Sequence, residues 1–154
     1  MIKKGDVAPD FELPNQDGEL INLRDLRGHK VILFAFPRAD TPGCNAQACG
    51  FRDQFPQIQT ADAIVFGISA DTQDDLKAWK AAYNLPYDLL SDTDHTMLSA
   101  WGAWDTVSFK NRTFDAPVRS YWVIDEDGTV IAGQVRITPD ESVKQALAAV
   151  SPSS

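Results

Sequence analysis

Residues 31–36, Val-Ile-Leu-Phe-Ala-Phe, form a continuous apolar run that stops at Pro37; Cys44 stands seven residues further on, directly after Pro42-Gly43. Such a run is expected of a central strand buried on both faces, which requires a sheet covered on two sides. After Pro42-Gly43, the residues Ala48, Phe51, Phe55 and Ile58 recur mostly at helical spacing, so the strand feeds a helix, with Pro56 marking a kink or its end. Cys44 then falls at or just inside a helix start, where unpartnered backbone N–H groups and the positive end of the helix dipole favour an anion. A cysteine in that place is a candidate nucleophile. Cys49, the other cysteine of the chain, lies five positions on and is a candidate partner for it.

The remaining segments supply what such a sheet needs. Phe11, Leu13, Leu20, Ile21 and Leu23 flank Asn15-Gln16-Asp17-Gly18, the pattern of a small hairpin or extended arm over an edge of the main sheet. Residues 63–69 read as a second central strand. Asp71 or Thr72 caps a helix whose Leu76, Trp79 and Tyr83 share one face, and Asn84-Leu85-Pro86 closes it. A short extended piece at 87–90 precedes Ser91-Asp92-Thr93-Asp94, caps for a helix through about Trp101. Residues 102–117 show no clear period. Strands over 120–124 and 129–137 flank Asp125-Glu126-Asp127-Gly128, a hairpin signal. Thr138-Pro139-Asp140-Glu141 combines a capping box with proline at the first helical position, opening a last helix that buries Val143, Ala146, Leu147 and Val150. Gly102, Gly128 and Gly133 read as turns, and Ser151-Pro152-Ser153-Ser154 as a loose tail. The order predicts an α/β fold: a three-layer sandwich with a central mixed β-sheet flanked by helices and an N-terminal hairpin, in a thioredoxin-like arrangement.

With 154 residues, 44% of them hydrophobic, the chain fits one domain over 1–154. A net charge of -8 argues against a nucleic-acid partner, which needs a clustered basic footprint. No run reaches transmembrane length, and Met1-Ile2-Lys3-Lys4 leads into Gly5-Asp6 without the apolar stretch of a signal peptide; the expected location is cytoplasmic, with no membrane partner. Two cysteines in a chain with its own core do not make a disulfide scaffold, and in a reducing compartment such a pair is more often redox-active or simply buried. His29 and His95 have no metal-ligand spacing and no glycine-rich phosphate loop is present, so no metal or other cofactor is expected.

Around Cys44 the residue types narrow the chemistry. Thr41 places a hydroxyl one turn ahead of the sulfur, where it can hydrogen-bond both the sulfur and an incoming oxygen. Pro37 ends the strand and would shield the sulfur. A thioredoxin-type oxidoreductase would carry Cys-x2-Cys at this junction, whereas the spacing here is Cys-x4-Cys. Each residue also has a bland reading: either cysteine as a small buried hydrophobe, Thr41 as a helix cap, Arg119 as a surface or ion-pair arginine, and Trp101 and Trp104 as core.

Pro37, Thr41, Pro42-Gly43, Cys44, Gln47-Ala48-Cys49 and Phe51-Arg52-Asp53 together carry a resemblance. With Gly67-Ile68-Ser69, Leu90-Ser91-Asp92, Asp94-His95, and Arg119 before Val123-Ile124-Asp125 and Asp127-Gly128, the chain resembles a peroxiredoxin of the bacterioferritin comigratory protein or peroxiredoxin Q group. The likeness runs over nearly the whole chain, from Gly5 onward. It implies that Cys44 is the peroxidatic cysteine and Cys49 the resolving one, that Thr41 and Arg119 bind the two peroxide oxygens, and that Pro37 keeps the pocket dry. The implied reaction reduces hydrogen peroxide or small organic hydroperoxides through a Cys44 sulfenic acid and an intramolecular Cys44–Cys49 disulfide. A thioredoxin or similar dithiol would reduce that disulfide, with the chain a monomer. Three positions depart from the pattern: Phe36 where Tyr is common, Arg38 where Lys is common, and Gln47 where many relatives carry Glu. They bear on rate and substrate preference. Two rivals share the fold: a general thiol-disulfide oxidoreductase, opposed by the missing Cys-x2-Cys, and a redox sensor, opposed by the lack of an extra binding module or charged tail.

Overall fold

A computed structural model describes residues 2–151, apart from the side chain of Phe109, so the expected loose tail at 152–154 lies outside the described residues. Strands β1 (Glu12–Pro14) and β2 (Leu20–Asn22) form the N-terminal hairpin, followed by a 3-10 turn over Leu23–Leu26. Next come β3 (Lys30–Ala35), helices α1 (Pro42–Asp53) and α2 (Phe55–Thr60), β4 (Ala63–Ser69), α3 (Gln73–Tyr83), β5 (Asp88–Ser91) and α4 (Thr96–Ala100). The chain finishes with β6 (Trp104–Phe109), β7 (Arg112–Pro117), β8 (Ser120–Ile124), β9 (Val130–Val135) and α5 (Pro139–Val150). The main sheet has five strands in the order β5-β4-β3-β8-β9. β3, β4 and β5 run parallel, while β8 is antiparallel to β3 and β9 to β8. An isolated bridge between Asn15 and Leu90 sets the hairpin against the β5 edge.

The apolar run is continuous because both faces of β3 are covered. Ile32, Phe34 and Phe36 pack with Phe51 of α1, Leu76 and Trp79 of α3 and Ala146 of α5. Val31, Leu33 and Ala35 face Leu98, Trp101 and Trp122 on the other side. Phe34 stacks on Phe51, ring centroids 4.7 Å apart and planes at 16°. That stack leaves no room beside Phe34 on the next strand, where its register partner is Gly67. A Cβ at Gly67 would stand 2.8 Å from both Phe34 Cζ and Leu89 Cδ2. Gly67→Ala is therefore expected to overpack the core and cost about 1–3 kcal/mol, read as a lower urea midpoint with an unchanged slope.

Helix boundaries follow local chemistry. Pro42 opens α1 behind Thr41, and α1 stops at Asp53 because Pro56 in the first turn of α2 cannot continue it. Thr72 Oγ1 accepts from Asp75 N at 3.2 Å at the start of α3, and Asn84, at φ 52°, ends it. α4 starts at Thr96, later than the acidic caps suggest: Asp94 and Asp92 stand outside the helix and accept from Thr96 N and Leu98 N at 3.2 and 2.8 Å. Within residues 102–117, which lack a clear period, 104–117 form the antiparallel β6–β7 hairpin. Its two-residue turn is Lys110-Asn111, both at positive φ (50° and 61°), the geometry of a tight primed turn built here without glycine. Gly133 is not a turn residue but lies inside β9, where a Cβ would meet Trp122 Cδ1 at 2.9 Å. Trp101 is buried against Trp122, and Trp104 is half-buried and stacks on His95 at 4.0 Å.

Candidate active site

The site is built where β3 runs out. Phe36 N still reaches Ile68 O at 3.1 Å, and Pro37, without an N–H, ends the ladder. The loop that follows is tied to the end of β4: Asp71 Oδ2 accepts from Ala39 N at 2.8 Å and from Ser69 Oγ at 2.7 Å. Asp40, at φ 59°, turns the chain into α1. Thr41 occupies the N-cap position, but its hydroxyl makes no cap bond. It donates to Arg38 O at 2.8 Å, so toward the sulfur or a substrate it offers lone pairs.

Cys44 lies in the first turn of α1 with no exposed surface. Arg119, the residue before β8, reaches it from the sheet, and its backbone is held because Arg119 O accepts from Arg136 N and Ile137 N at 3.0 and 3.1 Å. Its Nη1 lies 3.6 Å from Cys44 Sγ and donates to Gln47 Oε1 at 2.9 Å. The guanidinium packs so closely over the helix start that a Cβ at Gly43 would stand 2.7 Å from Nη2. Gln47, fully buried, passes the orientation on: its Nε2 donates to Ser142 Oγ at 3.1 Å, and that hydroxyl donates to Pro139 O at 2.7 Å. Among the described residues no carboxylate pairs with Arg119. A neutral amide orients the cation without cancelling its charge, which leaves that charge free to act on negative charge at the sulfur.

Cys49 is half-buried on the same helix and, like Cys44, is a free thiol. Five helical residues rise about 7.5 Å and turn about 140°, which puts the two Cα atoms about 8–9 Å apart. A disulfide rarely spans more than about 7 Å without backbone movement. The structure thus brings Cys44 and Arg119 into contact, with Thr41 one turn before the sulfur and Pro37 at the head of the loop, while Cys49 stands away from Cys44. In the sequence Gln47 counts only toward the resemblance, at a position where many relatives carry Glu, and no role at the site is read for it. Its position three residues after Cys44, on the same helix face, was the available signal. Among the described residues no group of three or more His, Cys, Asp or Glu side chains is placed to hold a metal ion.

The model of the AhpC/TSA family matches residues 4–132. The chain is 42% identical over 129 residues to Peroxiredoxin Bcp of Escherichia coli, covering 84% of this chain and 83% of that one. Peroxidoxin BcpB from Mycobacterium tuberculosis superposes with a TM-score of 0.86 at 32% identity, over 97% of both chains. The bacterioferritin comigratory protein of Xanthomonas campestris, whose structures address its alkyl peroxide reduction activity, superposes with a TM-score of 0.85 at 21% identity, over 97% of this chain and 96% of that one.

Proposed function

The chain belongs to the AhpC/TSA family and is a peroxiredoxin, a thiol-dependent peroxidase, and we propose that within it Cys44 attacks the peroxide and Cys49 resolves the product. One observation carries this assignment. Of the two thiols, it is the Cys44 sulfur at the helix start that has the Arg119 guanidinium 3.6 Å away. The Cys44 thiolate attacks the distal peroxide oxygen; the O–O bond breaks, the leaving oxygen takes a proton and departs as water or an alcohol, and Cys44 is left as a sulfenic acid. Arg119 stabilises the charge that develops on the leaving oxygen. Thr41 Oγ1, its own proton committed to Arg38 O, accepts the O–H of the bound peroxide. Pro37 closes the pocket without adding an N–H that would compete for the substrate.

Cys49 then attacks the Cys44 sulfur. An S–S bond forms, the S–O bond breaks, and the hydroxyl leaves with a proton as water. Because the two Cα atoms are too far apart in a continuous helix, α1 has to unwind between them for this step. A thioredoxin-like dithiol returns the disulfide to two thiols by exchange. Hydrogen peroxide and small organic hydroperoxides are the substrates of this reading, in line with the alkyl peroxide activity of the Xanthomonas campestris relative. The same reading has the chain act as a monomer, one domain over 1–154, in the cytoplasm, with thioredoxin as reductant and neither nucleic acid nor membrane as partner.

Cys49→Ser tests the division of labour. It is expected to consume about one equivalent of peroxide and then stop, leaving a sulfenic acid on Cys44 that dimedone traps. Loss of that first equivalent in Cys49→Ser, with its retention in Cys44→Ser, would reverse the two roles.

A further inference from the structure

The turn between the two cysteines is held from outside at both ends. Asn45, the residue after Cys44, donates through Nδ2 to Tyr83 Oη at 3.0 Å, and that hydroxyl donates to Asp40 Oδ1 at 3.0 Å. Asn45 Oδ1 also accepts from Trp79 Nε1 at 2.7 Å. At the other end Ala48, the residue before Cys49, has its carbonyl oxygen bonded by Tyr87 Oη at 2.6 Å, inside the core. Tyr83 closes α3 and Tyr87 stands just before β5, so two tyrosines four residues apart grip a helix segment whose two ends carry the reacting sulfurs. A further bond, from Arg52 Nη1 to Tyr83 O at 2.8 Å, fastens α1 beyond Cys49 and need not break when the turn opens.

We propose that the hydroxyls of Tyr83 and Tyr87 are a latch on α1: they hold the segment between Cys44 and Cys49 helical and so set how fast the sulfenic acid is resolved. The inference rests on the roles assigned above to the two cysteines. Opening the turn has to release Asn45 or the Ala48 carbonyl, because each is a chain neighbour of a sulfur that must move. While the latch is closed, Cys44 sulfenic acid has two fates. Cys49 attacks it once the turn opens, giving disulfide and water. Alternatively the sulfenate attacks a second peroxide, its sulfur gaining an oxygen to become sulfinic acid while that peroxide leaves as water or an alcohol. A tighter latch favours the second fate as peroxide rises. Neither hydroxyl touches Cys44, Thr41, Gln47 or Arg119, so the latch governs resolution and leaves the peroxide step alone. Its state does not follow pH near neutrality through the phenols. The bond to Asp40 holds the Tyr83 phenol above its ordinary range, and burial pushes the Tyr87 phenol well above it.

Tyr83→Phe and Tyr87→Phe keep both rings in place and remove only the hydroxyls. Reduced protein mixed with one equivalent of hydrogen peroxide, quenched at intervals and assayed for free thiols and for the Cys44–Cys49 disulfide by mass spectrometry, separates peroxide loss from resolution. Each variant is expected to form the disulfide about fivefold faster, the effect of one net hydrogen bond, and the double variant faster still. Peroxide consumption should stay within about twofold of the parent. The peroxide concentration that converts half of Cys44 to sulfinic acid should rise by the same factor as the resolution rate. Resolution unchanged or slowed in both variants, or both steps slowed together, overturns the latch. If the parent protein forms no Cys44–Cys49 disulfide after its first equivalent, the cysteine assignment itself is wrong, whatever the tyrosines do.

Discussion

Cys44→Ser is expected to abolish peroxide consumption, lowering the second-order rate by more than about 10⁴-fold, as removal of a nucleophile does. The replacement is close to isosteric, and a serine hydroxyl can still accept a hydrogen bond from Arg119, so the fold should survive with a stability change of about 1–2 kcal/mol. What disappears is the sulfur: an alcohol oxygen does not take up an oxygen atom from peroxide, and no sulfenic acid can form. Far-UV dichroism of parent and variant should overlay while stopped-flow peroxide loss falls to the uncatalysed rate. A Cys44→Ser protein that still consumed its first equivalent would move the nucleophile to Cys49.

Arg119→Met is expected to slow the peroxide step by about 10²–10³-fold, the usual cost of removing a donor aimed at developing charge. Methionine has similar reach and can lie over Gly43 where the guanidinium packs now, so bulk is largely conserved while charge and donors are lost. The variant also leaves the buried Gln47 Oε1 without its partner, a structural cost of about 1–3 kcal/mol. Arg119→Lys separates the two effects. It keeps the cation but replaces the planar fork with a single ammonium, and it should recover part of the rate. If the two variants were equally slow, orientation by the fork would matter more than charge. An unchanged rate in Arg119→Met at neutral pH would remove Arg119 from the site.

Much of this was legible in the chain because its signals are local. The unbroken apolar run at 31–36 reads as a strand covered on both faces, and burial of residues 31–36 follows from that. Pro37 and Pro42-Gly43 mark where the strand must stop and the helix begin, which places Cys44 in the first helical turn before any contact is known. Thr138-Pro139 and Asp125–Gly128 likewise announce α5 and the β8–β9 turn. The β6–β7 hairpin was not legible: its strands are mostly exposed, so no face imposes alternation, and its turn takes positive φ at Lys110 and Asn111 without a glycine to announce it. α4 began late for a related reason. Asp92 and Asp94 serve its first-turn N–H groups from outside the helix, so a run of capping residues did not mark one cap.

The sequence by itself determined the strand-to-helix junction, the place of each cysteine on it and, through its motifs, the family, because secondary structure and capping are decided by neighbours along the chain. Tertiary structure alone decided what surrounds the sulfur. Arg119 lies 75 positions from Cys44 and Ser142 95 from Gln47; they meet because β8 pairs beside β3 and α5 packs on α1. The same holds for Tyr83 and Tyr87, whose grip on Asn45 and Ala48 exists only once α3 and β5 are laid beside α1. Periodicity and caps carry no record of contacts made at such separations, since those depend on sheet order and helix packing rather than on spacing within any one segment.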